Sequence, residues 1–250
     1  MTRDNRLAWI NGLLLPLFNV LTAFMVTAVV FILIDVDPIV ATKILIYGAL
    51  GYEEGIGYTL YYATNFIFTG LAVAVAFHAG LFNIGGEGQA YVGGLGTALV
   101  ALYINPAISA WLVIPLGILG GLTFGALWAI IPGYLQAYRG SHIVITTIMF
   151  NFLASALMVY LLVHVLREVG QMSPQSKDFP DAAWIPFVHD IFASMGYKIA
   201  DSPLNLSILI ALIFSVLVWF FLWHTRWGFA IRATGKSPDA AIYSGINPTM

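Results

Sequence analysis

Five runs of about 20 residues or more, 13–34, 56–79, 111–131, 143–166 and 204–223, contain no Asp, Glu, Lys or Arg. At roughly 1.5 Å per residue, each makes a helix that crosses a hydrocarbon core about 30 Å thick. A backbone that leaves water must satisfy its own N–H and C=O groups, and a continuous helix does so within one segment. The expected fold is therefore an all-α integral membrane protein, a polytopic helix bundle with about six spans. The run at 13–34 is too long for a signal peptide and is followed by Asp35-Val36-Asp37-Pro38, so it reads as an uncleaved first span.

Composition closes other routes. Of 250 residues, 60% are hydrophobic and 9% charged, against roughly a quarter charged in soluble domains. A net charge of -2 with no basic run gives no footing for nucleic acid. Cysteine is absent, which excludes disulfides, thiolate metal sites and Cys-based redox motifs. The five histidines lack helical ligand spacing, and no Ser/His/acid arrangement stands in motif context, so neither a metal site nor a catalytic residue is expected. The polar stretches are too short for a separate domain, and residues 1–250 read as one transmembrane domain, incomplete at the C-terminus.

The most unusual stretch is Phe82-Asn83-Ile84-Gly85-Gly86-Glu87-Gly88-Gln89, a glycine-rich polar knot between apolar runs. The apolar run after it, 90–104, makes only about 22 Å of helix. One span is thus short or broken near residues 82–104, the form expected where unwound backbone meets a transported solute. Asn83, Glu87 and Gln89 are candidates for a polar solute lining. The competing reading is a tight helix–helix connection, with Glu87 placed at the positive N-terminus of the next helix. Thr147 and Asn151 lie one turn apart in the run at 143–166, and either line the pathway or hydrogen-bond neighbouring helices. Gly93, Gly94 and Gly96, and separately Gly117, Gly121 and Gly125, give smooth faces for close helix packing. Pro132-Gly133 is expected to end the span at 111–131, and Asn105-Pro106 to turn the chain before it.

Residues 237–245 read as a complete short helix, with Ser237 as N-cap, Pro238 at the first position, Asp239 complementing the dipole and Gly245 as the stop. Such a helix is too short to stand alone and needs a groove, in its own chain or in a partner.

Three segments together resemble the inner-membrane permease subunits of ATP-binding-cassette importers, in the branch that takes nucleosides and simple sugars. They are residues 82–89, residues 140–151 beginning Gly140-Ser141-His142, and residues 225–248. The resemblance covers most of residues 60–250 and is closest to the nucleoside-type permeases that work beside a second, related permease. Where the second motif usually has an acidic residue before the Val-Ile-(Ser/Thr)-Thr run, this chain has Ile143. The resemblance implies a path for a nucleoside or simple sugar and a solute-binding protein outside the membrane. It also implies a second permease subunit and an ATPase subunit that uses the ATP, leaving this chain with no cofactor and no catalysis of its own. It makes the tail a candidate ATPase-coupling helix, with Arg232, Gly235, Ser237, Pro238, Asp239, Ala240 and Gly245 as its residues. It further implies spans beyond residue 250.

Counting basic residues on alternate sides gives six (Arg3, Arg6, Arg139, Arg226, Arg232, Lys236) against four (Lys43, Arg167, Lys177, Lys198). This bias puts both termini in the cytoplasm, and the resemblance implies a multi-pass protein of the bacterial inner membrane. The alternative is a secondary transporter or channel without an ATPase, which the tail helix disfavours.

Overall fold

The computed structural model describes residues 12, 14–104 and 109–247. Arg3, Arg6, the Asn105-Pro106 turn and Pro248 lie outside the described residues. Among these residues the chain is helical with no strand: α1 (Leu15–Leu33), α2 (Pro38–Leu50), α3 (Glu53–His78), α4 (Gly86–Tyr103), α5 (Ala110–Arg139), α6 (Ile143–His164), α7 (Val188–Ser194), α8 (Ser207–His224), α9 (Arg226–Lys236) and α10 (Pro238–Tyr243). Five of them, α1, α3, α5, α6 and α8, are long and apolar enough to cross a membrane; α4, with 18 residues, is as long as α8 but is not among them. The chain is an all-α, multi-pass membrane protein.

Two compact units divide it: Met1–Thr59 with Ile199–Ser202, and Leu60–Lys198 with Pro203–Met250. In the first, α1 packs on α2. The Asp37 carboxylate caps α2 by accepting from the N–H groups of Ile39 (2.8 Å) and Val40 (3.2 Å), and Pro38 occupies the first helical position. At 13 residues, α2 is too short to span, as its sequence suggests.

In the second unit, α4 and α5 cross backbone to backbone. A Cβ on Gly96 would collide with the Gly120 carbonyl, and one on Gly120 would sit 2.7 Å from the Gly96 carbonyl. Gly93, Gly121 and Gly125 continue the seam, while Thr97 donates from its hydroxyl to the Gly117 carbonyl at 3.0 Å. Close approach driven by small residues is the main adhesive between helices that gain nothing by burying apolar surface from lipid. Gly94, by contrast, faces open space and takes no part in the seam.

The expected stop at Pro132-Gly133 is not observed. α5 runs on through Pro132 to Arg139 and ends at Gly140, whose φ of 66° turns the chain left-handed, with the Ser141 N–H donating to the Leu135 carbonyl at 3.2 Å. Proline removes one helical hydrogen bond and bends the axis, but helices buried among others tolerate it. The polar stretch before α8 is held by pairing of its own backbone: Val188 donates to Leu204 at 2.9 Å and Leu206 to Pro186 at 3.2 Å.

Candidate functional site

The break between α3 and α4 occupies residues 79–85. α3 stops because Gly80 turns left-handed (φ 75°), which lets Leu81 donate back to the Ala76 carbonyl at 2.9 Å. Phe82 folds back on Phe77, edge to face at 5.0 Å between ring centres. The knot therefore splits, with residues 82–85 in non-helical backbone and Gly86, Glu87, Gly88 and Gln89 forming the first turn of α4.

What holds this connection is α6. The Asn151 amide makes two bonds to it: Oδ1 accepts from the Gly88 N–H at 2.9 Å, and Nδ2 donates to the Ile84 carbonyl at 3.0 Å. The Gly88 N–H is one of the donors that a helix start leaves unsatisfied, so Asn151 caps α4 from another helix. Thr147, one turn earlier and 1% exposed, accepts from the Ile84 N–H at 3.3 Å. Its hydroxyl donates into its own helix, to Ile143 at 2.8 Å. Asn83 closes a local turn, with Oδ1 accepting from the Gly85 N–H at 2.8 Å.

Two knot glycines are required by contact. A Cβ on Gly88 would stand 2.9 Å from Asn151 Oδ1 and 3.1 Å from the Phe150 carbonyl. One on Gly85 would stand 2.9 Å from Asn83 Oδ1 and 3.2 Å from Thr147 Cβ. Gly86 has room, its nearest neighbour being Thr69 Cβ at 3.8 Å. The structure thus brings Asn83, Thr147 and Asn151 together as a clamp. Glu87 is exposed in the first turn of α4, where the helix dipole favours its charge, and Gln89 is half-buried beside Gly85.

The tail packs at the same end of this unit. Thr225 caps α9 by accepting from the Gly228 N–H at 3.0 Å, and Ser237 caps α10 by accepting from the Ala240 N–H at 3.3 Å. Gly245 (φ 79°) ends α10 as expected, with Ile246 donating to the Ala241 carbonyl at 2.9 Å. Arg232 does not extend into water but lies over the Trp223 ring, 4.2 Å from its centre, and His78 meets the same ring edge-on at 6.0 Å. Gly235 abuts the backbone of residues 78–80. Only Ala241 of α10 is buried, and Pro238, Asp239, Ala240, Ile242 and Tyr243 are exposed.

A second feature was not singled out in the sequence. An open cavity of about 520 Å³ lies between α3, α4, α5, α8 and residues 183–185, and Asn65, Thr97 and Ser207 supply its polar side chains. No cluster of His, Cys, Asp or Glu suited to a metal exists among the described residues.

Residues 55–250 match the family described as branched-chain amino acid transport system / permease component. The chain belongs to this permease family. It is 34% identical to the nucleoside ABC transporter permease protein NupB of Lactococcus lactis, over 94% of this chain and 64% of that protein. It is 32% identical to the glucose ABC transporter permease protein TsgB13 of Haloferax volcanii, over 93% of this chain and 60% of that protein. Identity to the guanosine ABC transporter permease protein NupP of Bacillus subtilis is 31%, over 95% and 66%. The permease chain thus spans about two thirds of the length of these curated relatives. No solved structure matches it.

Proposed function

We propose that this permease is a membrane-spanning subunit of an ATP-driven importer for a nucleoside or simple sugar. A binding protein outside the membrane delivers the solute, a second permease subunit completes the path, and a separate ATPase chain hydrolyses ATP. Both termini of the described chain lie on the cytoplasmic side of a bacterial inner membrane. The reading is supported by kinship with permeases named for nucleosides, guanosine and glucose.

The structural observation that carries it is α10. A six-residue helix capped at both ends, buried through Ala241 alone and exposed elsewhere, is built to be presented. An ATPase groove is its natural acceptor, in the manner of a helix laid in a groove. Ser237, Pro238, Asp239, Ala240 and Gly245 shape that helix, while Arg232 and Gly235 hold it to the rest of the chain. Near the cytoplasmic end of the path, Glu87 and Gln89 present polar groups to the solute, and Asn83, Thr147 and Asn151 hold the backbone that carries them.

Purification of the full-length protein with its genetic neighbours tests the coupling role. Ala240→Glu, on the exposed face of α10, is expected to remove most of the copurifying ATPase and leave the permease folded. ATPase recovered at full yield would count against it.

A further inference from the structure

We infer that Thr147 and Asn151 form a hydrogen-bonded latch on the α3–α4 connection, and that the latch opens when the ATPase displaces α10. The near end of the connection moves with α9, and its far end is released from α6. Asn151 is thereby a positioning residue that keeps ATP hydrolysis and uptake in step. This rests on the import reading above and deepens it.

The two ends of the connection are held by different physics. At residues 78–80 the hold is backbone against backbone. A Cβ on Gly235 would collide with the His78 carbonyl and stand 2.7 Å from the Gly80 nitrogen and 2.8 Å from the Ala79 carbonyl carbon. Packed backbone has no rotamer to yield, so a shift of α9 carries residues 78–80 with it. Arg232, one turn before Gly235, and His78 meet on the Trp223 ring, which adds a side-chain contact to this joint. In turn α10 packs on α9, with Ala241 only 3% exposed, so a load on α10 reaches the joint.

At residues 84–88 the hold is three hydrogen bonds to two side chains of α6. The Ile84 N–H donates to Thr147 at 3.3 Å, Asn151 Nδ2 donates to the Ile84 carbonyl at 3.0 Å, and the Gly88 N–H donates to Asn151 Oδ1 at 2.9 Å. This hold is suited to reversal. When Ile84 leaves, the buried Thr147 hydroxyl keeps its own bond to the Ile143 carbonyl at 2.8 Å. Asn151 is half-buried, so water can replace its partners. Neither side chain is left buried and unpaired, the condition that makes a broken hydrogen bond expensive. An open latch frees the first turn of α4, where Glu87 and Gln89 stand. A second route is available, because α9 also packs on α8. A push carried by α8 alone would leave the latch closed.

Hydrogen–deuterium exchange separates the two routes. The full-length permease is placed in proteoliposomes with its ATPase, partner permease and binding protein, and studied at rest and with the ATPase trapped by ATP and vanadate. Exchange in residues 82–89 is expected to rise about tenfold on trapping, as the Ile84 and Gly88 N–H groups lose their acceptors. In Asn151→Ala it should be fast at rest and respond no further. Exchange in 82–89 that trapping leaves unchanged, or a rise confined to α8, would overturn the inference.

As a second measurement, ATP hydrolysed is compared with labelled uridine, adenosine or ribose imported. Asn151→Ala is expected to raise this ratio about tenfold. Thr147→Val keeps the side chain's shape, loses one acceptor and should raise it several-fold. Gly120→Ala strains the α4–α5 seam instead, and should reduce the folded protein without changing the ratio. A ratio that neither latch variant alters, or that Gly120→Ala raises equally, would contradict the latch. A wild type that imports nothing with ATP would sink the import reading and the latch with it, whereas ATP-driven import without the exchange response sinks the latch alone.

Discussion

Gly235 and Gly80 lie backbone against backbone: a Cβ on Gly80 would stand 3.1 Å from both the Gly235 Cα and its carbonyl oxygen. A Cβ on Gly235 would collide with the His78 carbonyl. Helix α9 is thereby seated on the end of α3 and the start of the 79–85 connection, whose far end Asn151 ties to α6. The tail and the glycine knot share one continuous run of backbone contact.

Substituting Gly235→Ala forces this contact open. Overpacking of about 1–3 kcal/mol is expected, read as a lower thermal midpoint of the purified protein. Gly133→Ala, with nothing within 4 Å of its Cβ position, should be neutral or stabilising by about 0.5–1 kcal/mol. Equal midpoints for the two variants would remove the contact from the account.

The clamp makes a prediction at Asn151. Leucine there leaves the Gly88 N–H and the Ile84 carbonyl without their partner, at a cost of about 1–3 kcal/mol. Asn151→Asp keeps the acceptor and, while its carboxyl is protonated, a donor, so at acidic pH it should fall between wild type and Asn151→Leu in a thermal-stability series. The reverse order would mean that the two bonds do not hold the connection.

Within the knot, the glycines are not equivalent. Gly86→Ala should preserve both yield and stability, while Gly88→Ala, pressed on the Phe150 carbonyl and Asn151, should lose stability by about 1–3 kcal/mol. Comparable loss from both would place the knot's demand for glycine in flexibility and not in packing.

Arg232 should behave as a structural cation. Arg232→Gln removes the contact with the Trp223 face and should destabilise by about 0.5–1 kcal/mol at this partly exposed site. Trp223→Leu should cost at least as much and leave little further for Arg232→Gln to remove. Additive losses in the double variant would show that the two groups act independently.

The spans were legible because an uncharged run of membrane length has few other uses, and the caps at Ser237 and Gly245 because each is a local matter of one side chain or one φ. Pro132 misled: a proline and a glycine in succession read as an ending, yet the helix ends at Gly140 because the left-handed turn there is what closes the last carbonyls. The α4–α5 seam was visible as glycine spacing, but its register was not. Gly120, which no pattern marked, is in the tightest contact, and Gly94, which one did, faces a cavity. The cavity escaped notice for a related reason, since its surroundings come from four helices far apart in the chain.

The most direct test of the account is uptake. The full-length permease, reconstituted with its ATPase, partner permease and binding protein in proteoliposomes, is given labelled uridine, adenosine and ribose with and without ATP. The account predicts uptake of a nucleoside or sugar that requires ATP and the binding protein. Uptake that proceeds equally without ATP and follows an ion gradient would contradict it.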